Sequence, residues 1–229
     1  MRMKIRAIYK FSAENIEKTH FNRRLECIFD LVNAPVKKKL SEMTLEELWQ
    51  LFPIVLTEHR DCWAEWYREE SEIVRAALSA IFKVDDRAEV KVDDCADVRI
   101  THVGSTAVPG IWAKPIVDIL VELPLGVDLR LAKEPLVAAG YICMSETENR
   151  ISFNKGYTED GFAEKVFHLH LRHEGDNAEI RFRDCLRANP SVAKEYEALK
   201  LSLWKRFEHD RDGYTEAKSE FVCKYSEER

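Results

Sequence analysis

Four short stretches hold residues whose types and spacing can do chemistry. Gly104-Ser105-Thr106 closes an alternating run. A glycine and a small hydroxyl directly after a strand leave the backbone close to any bound anion, which makes these three candidate phosphate-binding residues. An ordinary structural turn is the competing reading. The stretch is neither a Walker A loop, because Gly-Lys-Ser/Thr is absent, nor a Rossmann fingerprint. Asp118 interrupts the apolar run Ile116-Val117-Asp118-Ile119-Leu120-Val121, where burial penalises an unpaired carboxylate. It therefore needs a cation, a metal or a cap. Lys114, just upstream, can neutralise a phosphate or pair with Asp118. With a period of two, Asp118, Leu120 and Glu122 share one strand face. Asp118 and Glu122 then lie about 13 Å apart, too far to clamp one ion.

His168 and His170 share a face of a second strand, with Phe167, Leu169 and Leu171 on the other. At about 7 Å between Cα atoms they can share a metal, serve separate catalytic roles, or simply lie on a polar face. Asp118, His168 and His170 are thus the candidate catalytic and metal-ligating set. Arg181, Arg183, Asp184 and Arg187 crowd one short helix. That helix can supply a phosphate fork or be a solvated face laced with ion pairs. Tyr214, Glu216 and Lys218 are weaker candidates. No G-x-S-x-G elbow surrounds Ser105 and no HExxH occurs, which argues against a serine hydrolase and a zincin. Nothing fixes a base for Cys185.

The elements that must position these groups follow from pattern. Thr44 and Glu47 form a capping box ahead of a helix over residues 41–52. A longer helix is expected over 59–82, with Trp63, Trp66, Ile73, Ala77 and Ile81 on its apolar side. Strands are expected at 98–103, 116–123, 141–144, 150–154 and 166–172. His173 falls in a loop. A helix over 131–139 closes at Gly140. Further helices are expected at 177–188, at 191–207 capped by Ser191, and from Thr215 onward. The order is not a regular βαβ series. It fits an α+β (α/β) protein, a mixed β-sheet with flanking helices.

The chain has 229 residues, 45% hydrophobic and 33% charged, with a net charge of −6. One globular domain with an appendage fits this length. The acidic balance argues against a general nucleic-acid binder. No apolar run is long enough to span a membrane, and no signal core follows the basic N-terminus. Six scattered cysteines without a CxxC pair read as free thiols in a reducing cytoplasm. Residues 1–40 carry ten Lys/Arg against four Asp/Glu. Ile5, Ala7, Tyr9 and Phe11 alternate there as a short strand would. Residues 1–37 are read as an N-terminal extension and 38–226 as the domain.

The residues also carry a resemblance. His102-Val103-Gly104-Ser105-Thr106-Ala107-Val108-Pro109-Gly110-Ile111, with Ala113-Lys114-Pro115-Ile116-Val117-Asp118-Ile119, is similar to the signature of the GrpB family. That family resembles the nucleotidyltransferase superfamily in fold. His168-Leu169-His170-Leu171, Phe182-Arg183-Asp184-Cys185-Leu186-Arg187-Ala188-Asn189-Pro190 and Tyr214-Thr215-Glu216-Ala217-Lys218 also match, as does Leu40 to Trp49. The resemblance implies a Gly-Ser that meets nucleotide phosphates and an Asp-x-Asp pair that holds Mg²⁺ or Mn²⁺. It also implies a third carboxylate from a later strand. Gly104-Ser105 and Asp118 match, whereas Leu120 stands where the second aspartate belongs. His168 or His170 falls on the strand of the third carboxylate. GrpB-like domains also occur joined to dephospho-coenzyme A kinase, which implies nucleotide or coenzyme metabolism.

Three functions compete on this reading. One is metal-dependent transfer of a nucleotidyl group, with Asp118 on the metal, Ser105 on the phosphates and Lys114 or Arg183 as clamps. Another is a module that binds a nucleotide or phosphorylated small molecule without transfer. A third is metal-assisted phosphoester hydrolysis, in which the two histidines matter most.

Overall fold

The computed structural model describes residues 38–79, 81 and 98–227. The strand expected at Ile5 to Phe11 lies outside them. The expected capping box is present: the Thr44 hydroxyl accepts from Glu47 N, and the Glu47 carboxylate accepts from Thr44 N. It starts α1 (Leu45–Leu51). The long helix α2 is shorter than its pattern suggested (Cys62–Leu78). Trp63, Val74 and Leu78 are its buried apolar contacts, whereas Ile73 faces water.

Five strands follow: β1 (Arg99–Val103), β2 (Val117–Leu123), β3 (Ile142–Glu146), β4 (Arg150–Thr158) and β5 (Gly161–His173). The short helix α3 (Lys133–Ala138) lies between β2 and β3. The strands form one sheet in the order β1-β2-β5-β4-β3. Only the β2–β5 pair is parallel. β5 starts five residues before its expected span and runs one residue past it, so His173 ends a strand rather than opening a loop.

Three C-terminal helices complete the domain: α4 (Ala178–Ala188), α5 (Pro190–Trp204) and α6 (Arg211–Ser226). Two of them start earlier than expected. Pro190 takes the first turn of α5 behind Asn189, where its missing N–H costs nothing. Asp210, not Thr215, caps α6 by accepting from Gly213 N.

The alternation along β2 and β5 sorts the sheet into two faces. Val117, Ile119 and Val121 join Phe167, Leu169 and Leu171 in a core closed by α2 and α3. Burial of such side chains contributes about 1.5–3 kcal/mol each. The other face carries Asp118 beside His168, Leu120 beside His170 and Glu122 beside Arg172. A second apolar cluster, with Val108, Ile111, Phe182, Leu186 and Tyr196, joins α4 and α5 to the segment between β1 and β2. The chemistry-bearing face of the sheet and the C-terminal helices therefore meet.

Candidate functional site

Asp118 sits second in β2, directly opposite Val103 on β1 and His168 on β5. The chain after β1 turns at Gly104, whose φ of 71° lies in the left-handed region. A methyl group there would run into the Asp118 carboxylate, so only glycine lets the turn approach the acid this closely.

Two imidazoles face Asp118: His168 Nδ1 at 3.4 Å and His170 Nε2 at 3.6 Å from Oδ1. Burial alone would raise the Asp118 pKa, but the two histidines outweigh it and hold the carboxyl well below its usual range. His168 is itself pushed down to about 4, chiefly by burial, so it is neutral near pH 7. Its Nε2 lies 2.8 Å from the Tyr157 hydroxyl, which accepts from Arg211 at 2.9 Å. Because the ionised Asp118 only accepts, the proton of the neutral imidazole sits on Nδ1 facing it, and Tyr157 donates to Nε2. This chain begins at a backbone irregularity. Register slips between Lys155, which pairs with Phe167, and Tyr157, which pairs with Phe162. This break in alternation at Gly156, whose φ is 89°, brings Tyr157 to the face of His168.

A cavity of about 220 Å³ opens over Asp118. Gly104, Ser105, Thr106, Lys114, Asp118 and His170 line it from the sheet side. Tyr196, Lys200, Tyr214 and Lys218 line it from α5 and α6. Thr106 gives its hydroxyl to a 3.0 Å contact with His102 Nε2. Burial lowers Lys114 to about 7, reinforced by Lys218 and Arg211. Burial and Lys218 lower Lys200 to about 7. Burial brings Lys218 to about 8, against the pull of Asp118. Lys218 lies 4.3 Å from the Tyr214 ring centroid and Lys114 lies 5.8 Å from it. Among the described residues, the buried Tyr214 hydroxyl has no hydrogen-bond partner.

The sequence-derived set thus divides. Gly104, Ser105, Lys114, Asp118, His168 and His170 converge, but the arginines of α4 do other work. Arg183 donates to the His102 carbonyl at 2.8 Å. Arg187 makes two bonds to the Ala107 carbonyl, at 2.9 and 2.7 Å. Arg181 donates to the Ser226 carbonyl and to Asn177. None of the three lines the cavity. Arg187→Ala is expected to cost about 1.5–3 kcal/mol, the range for a charge-assisted hydrogen bond. Urea denaturation measures it, and an unchanged midpoint would mean that these bonds exchange freely with water.

Tyr157, Tyr196, Lys200 and Arg211 were missed from sequence. Lys200 had a signal: it follows Tyr196 by four residues and Ala193 by seven, a cation on a buried helix face.

Among the described residues, one mixed sheet, six α-helices and a polar cleft over the Gly-Ser turn define an α+β protein. The chain belongs to the GrpB protein family, whose profile matches residues 53–228. It is 34% identical to a UPF0157 protein of Pseudomonas aeruginosa over 165 residues. That match covers 71% of this chain but only 62% of the relative. The crystal structure of GrpB from Enterococcus faecalis superposes with a TM-score of 0.53 at 24% identity, covering 76% of this chain and all of that one. The Cid1 poly(U) polymerase, with MgGTP bound, matches with a TM-score of 0.42 at 13% identity, over 69% of this chain and 44% of its own.

Proposed function

We propose that the cleft binds the phosphate groups of a nucleotide or another phosphorylated small molecule. The observation that carries this reading is the convergence of Lys114, Lys200 and Lys218 on the cavity over Gly104-Ser105. Three cations in one small space favour a multiply charged anion. Nucleotidyl transfer to a separate acceptor is the second reading. It is favoured by Asp118, an acid packed directly against the Gly104 turn. The two histidines serve hydrolysis less well on this geometry, because His168 is engaged on both nitrogens. Among the described residues no helix is long and apolar enough to cross a membrane. Cys62, Cys143, Cys185 and Cys223 are free among the described residues, which supports a proposal of work in the cytoplasm. Nucleic acid is not the partner this reading favours.

Thermal shift across the four ribonucleoside triphosphates and coenzyme A precursors tests it, with and without Mg²⁺ or Mn²⁺. A ligand at about 100 times its Kd stabilises by about 2.7 kcal/mol, a Tm rise of about 5–10 °C at this chain length. Phosphorylated ligands should give that rise, their dephosphorylated counterparts should not, and Lys114→Ala should reduce it. Equal shifts from both classes would overturn the reading. Turnover of the responding nucleotide, lost in Asp118→Asn, would promote binding to transfer.

A further inference from the structure

The carboxylates of the cleft do not fit the pair of divalent ions that the family resemblance implies. A two-metal centre needs acidic groups that bridge both ions. Leu120 occupies the second position and is fully buried. His168 has Nδ1 on Asp118 and Nε2 on Tyr157, so neither nitrogen is open to a metal. Among the described residues, no group of three or more His, Cys, Asp or Glu side chains is placed to hold an ion.

Cations are already there. Lys114 comes from the segment before β2, Lys200 from α5 and Lys218 from α6, and all three line one cavity. Neither Lys114 nor Lys218 pairs with a carboxylate among the described residues. Lys200 donates to the Trp112 carbonyl, which anchors it without neutralising it. One carboxylate therefore faces three ammonium groups. Holding uncompensated charge in a buried cleft is unfavourable, and a polyanion relieves it. The Tyr214 hydroxyl, buried and unpartnered on the same wall, supplies a neutral donor. The space of about 220 Å³ is smaller than the roughly 300–1,000 Å³ that encloses a drug-sized ligand. It takes the charged end of a molecule and leaves the rest outside.

We infer that Lys114, Lys200 and Lys218 stand in for the metal ions, so that the cleft holds a diphosphate or triphosphate group directly, with Tyr214 as a further donor. This rests on the phosphate-binding reading above and names how that binding is done. Asp118 then has a different job from a metal ligand. It holds the lysine cluster together in the empty cleft and opposes the incoming anion.

The two arrangements give opposite signs for one substitution. Titration calorimetry of the full chain with inorganic pyrophosphate and tripolyphosphate at pH 6.5 reads them out, first in EDTA and then with Mg²⁺ or Mn²⁺. Binding is expected to persist in EDTA and to gain nothing from either metal. Lys218→Met, which keeps the apolar stem, should weaken binding about tenfold or more without lowering Tm. Asp118→Asn should bind at least as tightly as the parent. Binding that needs the metal and disappears in Asp118→Asn would overturn the lysine clamp while leaving the phosphate reading intact. No binding of either anion under any condition would overturn both. Should Asp118→Asn fail to fold, the EDTA comparison and Lys218→Met decide between the same outcomes.

Discussion

Gly104→Ala is expected to destabilise the protein by about 2–5 kcal/mol and to abolish anion binding in the cleft. Two costs add. The left-handed φ of 71° disfavours a Cβ by about 1–2 kcal/mol. The new methyl also meets the Asp118 side chain, with Cγ at 2.9 Å and Cβ at 3.0 Å. Asp118 has little room to retreat, because Val117 and Ile119 on either side are fully buried in the core. Overpacking of that kind costs about 1–3 kcal/mol. Gly110→Ala is the internal control. It shares a positive φ of 77°, yet nothing lies within 4 Å of its added Cβ. It should lose only the backbone share and keep its ligand. Denaturation midpoints with pyrophosphate titration measure both variants, and equal losses at the two positions would refute the close-approach argument.

Raising the pH from 7 to 9.5 should move stability and affinity in opposite directions. Lys114, Lys200 and Lys218 have folded-state pKa values of about 7, 7 and 8 against 10.5 for an ordinary lysine. In that window the unfolded chain holds protons that the folded one has released. Stability therefore rises with pH, because the unfolded state binds more protons. The gain is complete only above about 10.5 and is lost as pH falls toward 7. The ligand needs the protonated lysines, so its affinity should fall at least tenfold over the same range. Denaturation and calorimetry at pH 7 and pH 9.5 test the pair. Lys218→Met should flatten the stability slope. A slope that does not change with Lys218→Met would place the titrating groups elsewhere.

Acid works through different residues. His102 and His168 titrate at about 4 in the fold, chiefly because they are buried. Their contribution is full above about 6.5 and is lost as pH falls toward 4. The working range of the cleft is thus bounded by histidines below and by lysines above.

Local and period-two features were the legible ones. Asp118, Leu120 and Glu122 fall on one face of β2, and His168 and His170 on one face of β5, as alternation requires. The capping box at Thr44 reads directly from three-residue spacing. Features that depend on a partner element were not legible. The α4 arginines could be placed on a helix from sequence. That they end on the carbonyls of His102 and Ala107 depends on how α4 packs beside β1. Tyr157 reaches His168 only across a register break in which four residues of β5 stand against Gly156 alone on β4, and such a break reverses facing. The early start of α5 was hidden because Asn189-Pro190 reads as a stop as readily as a start.

The clamp also has an order of assembly. Gly104, Lys114 and Asp118 leave the ribosome 82 to 96 residues before Lys200 and 100 to 114 before Lys218. The bonds that fix both ends of the Gly-Ser turn come from Arg183 and Arg187, themselves about 80 positions downstream. A chain interrupted before α5 would hold every strand of the sheet and both histidines, yet lack two of the three cations. During synthesis the cleft is therefore inert until its last helix docks, and a nascent chain cannot sequester the phosphorylated ligand that the finished protein would hold.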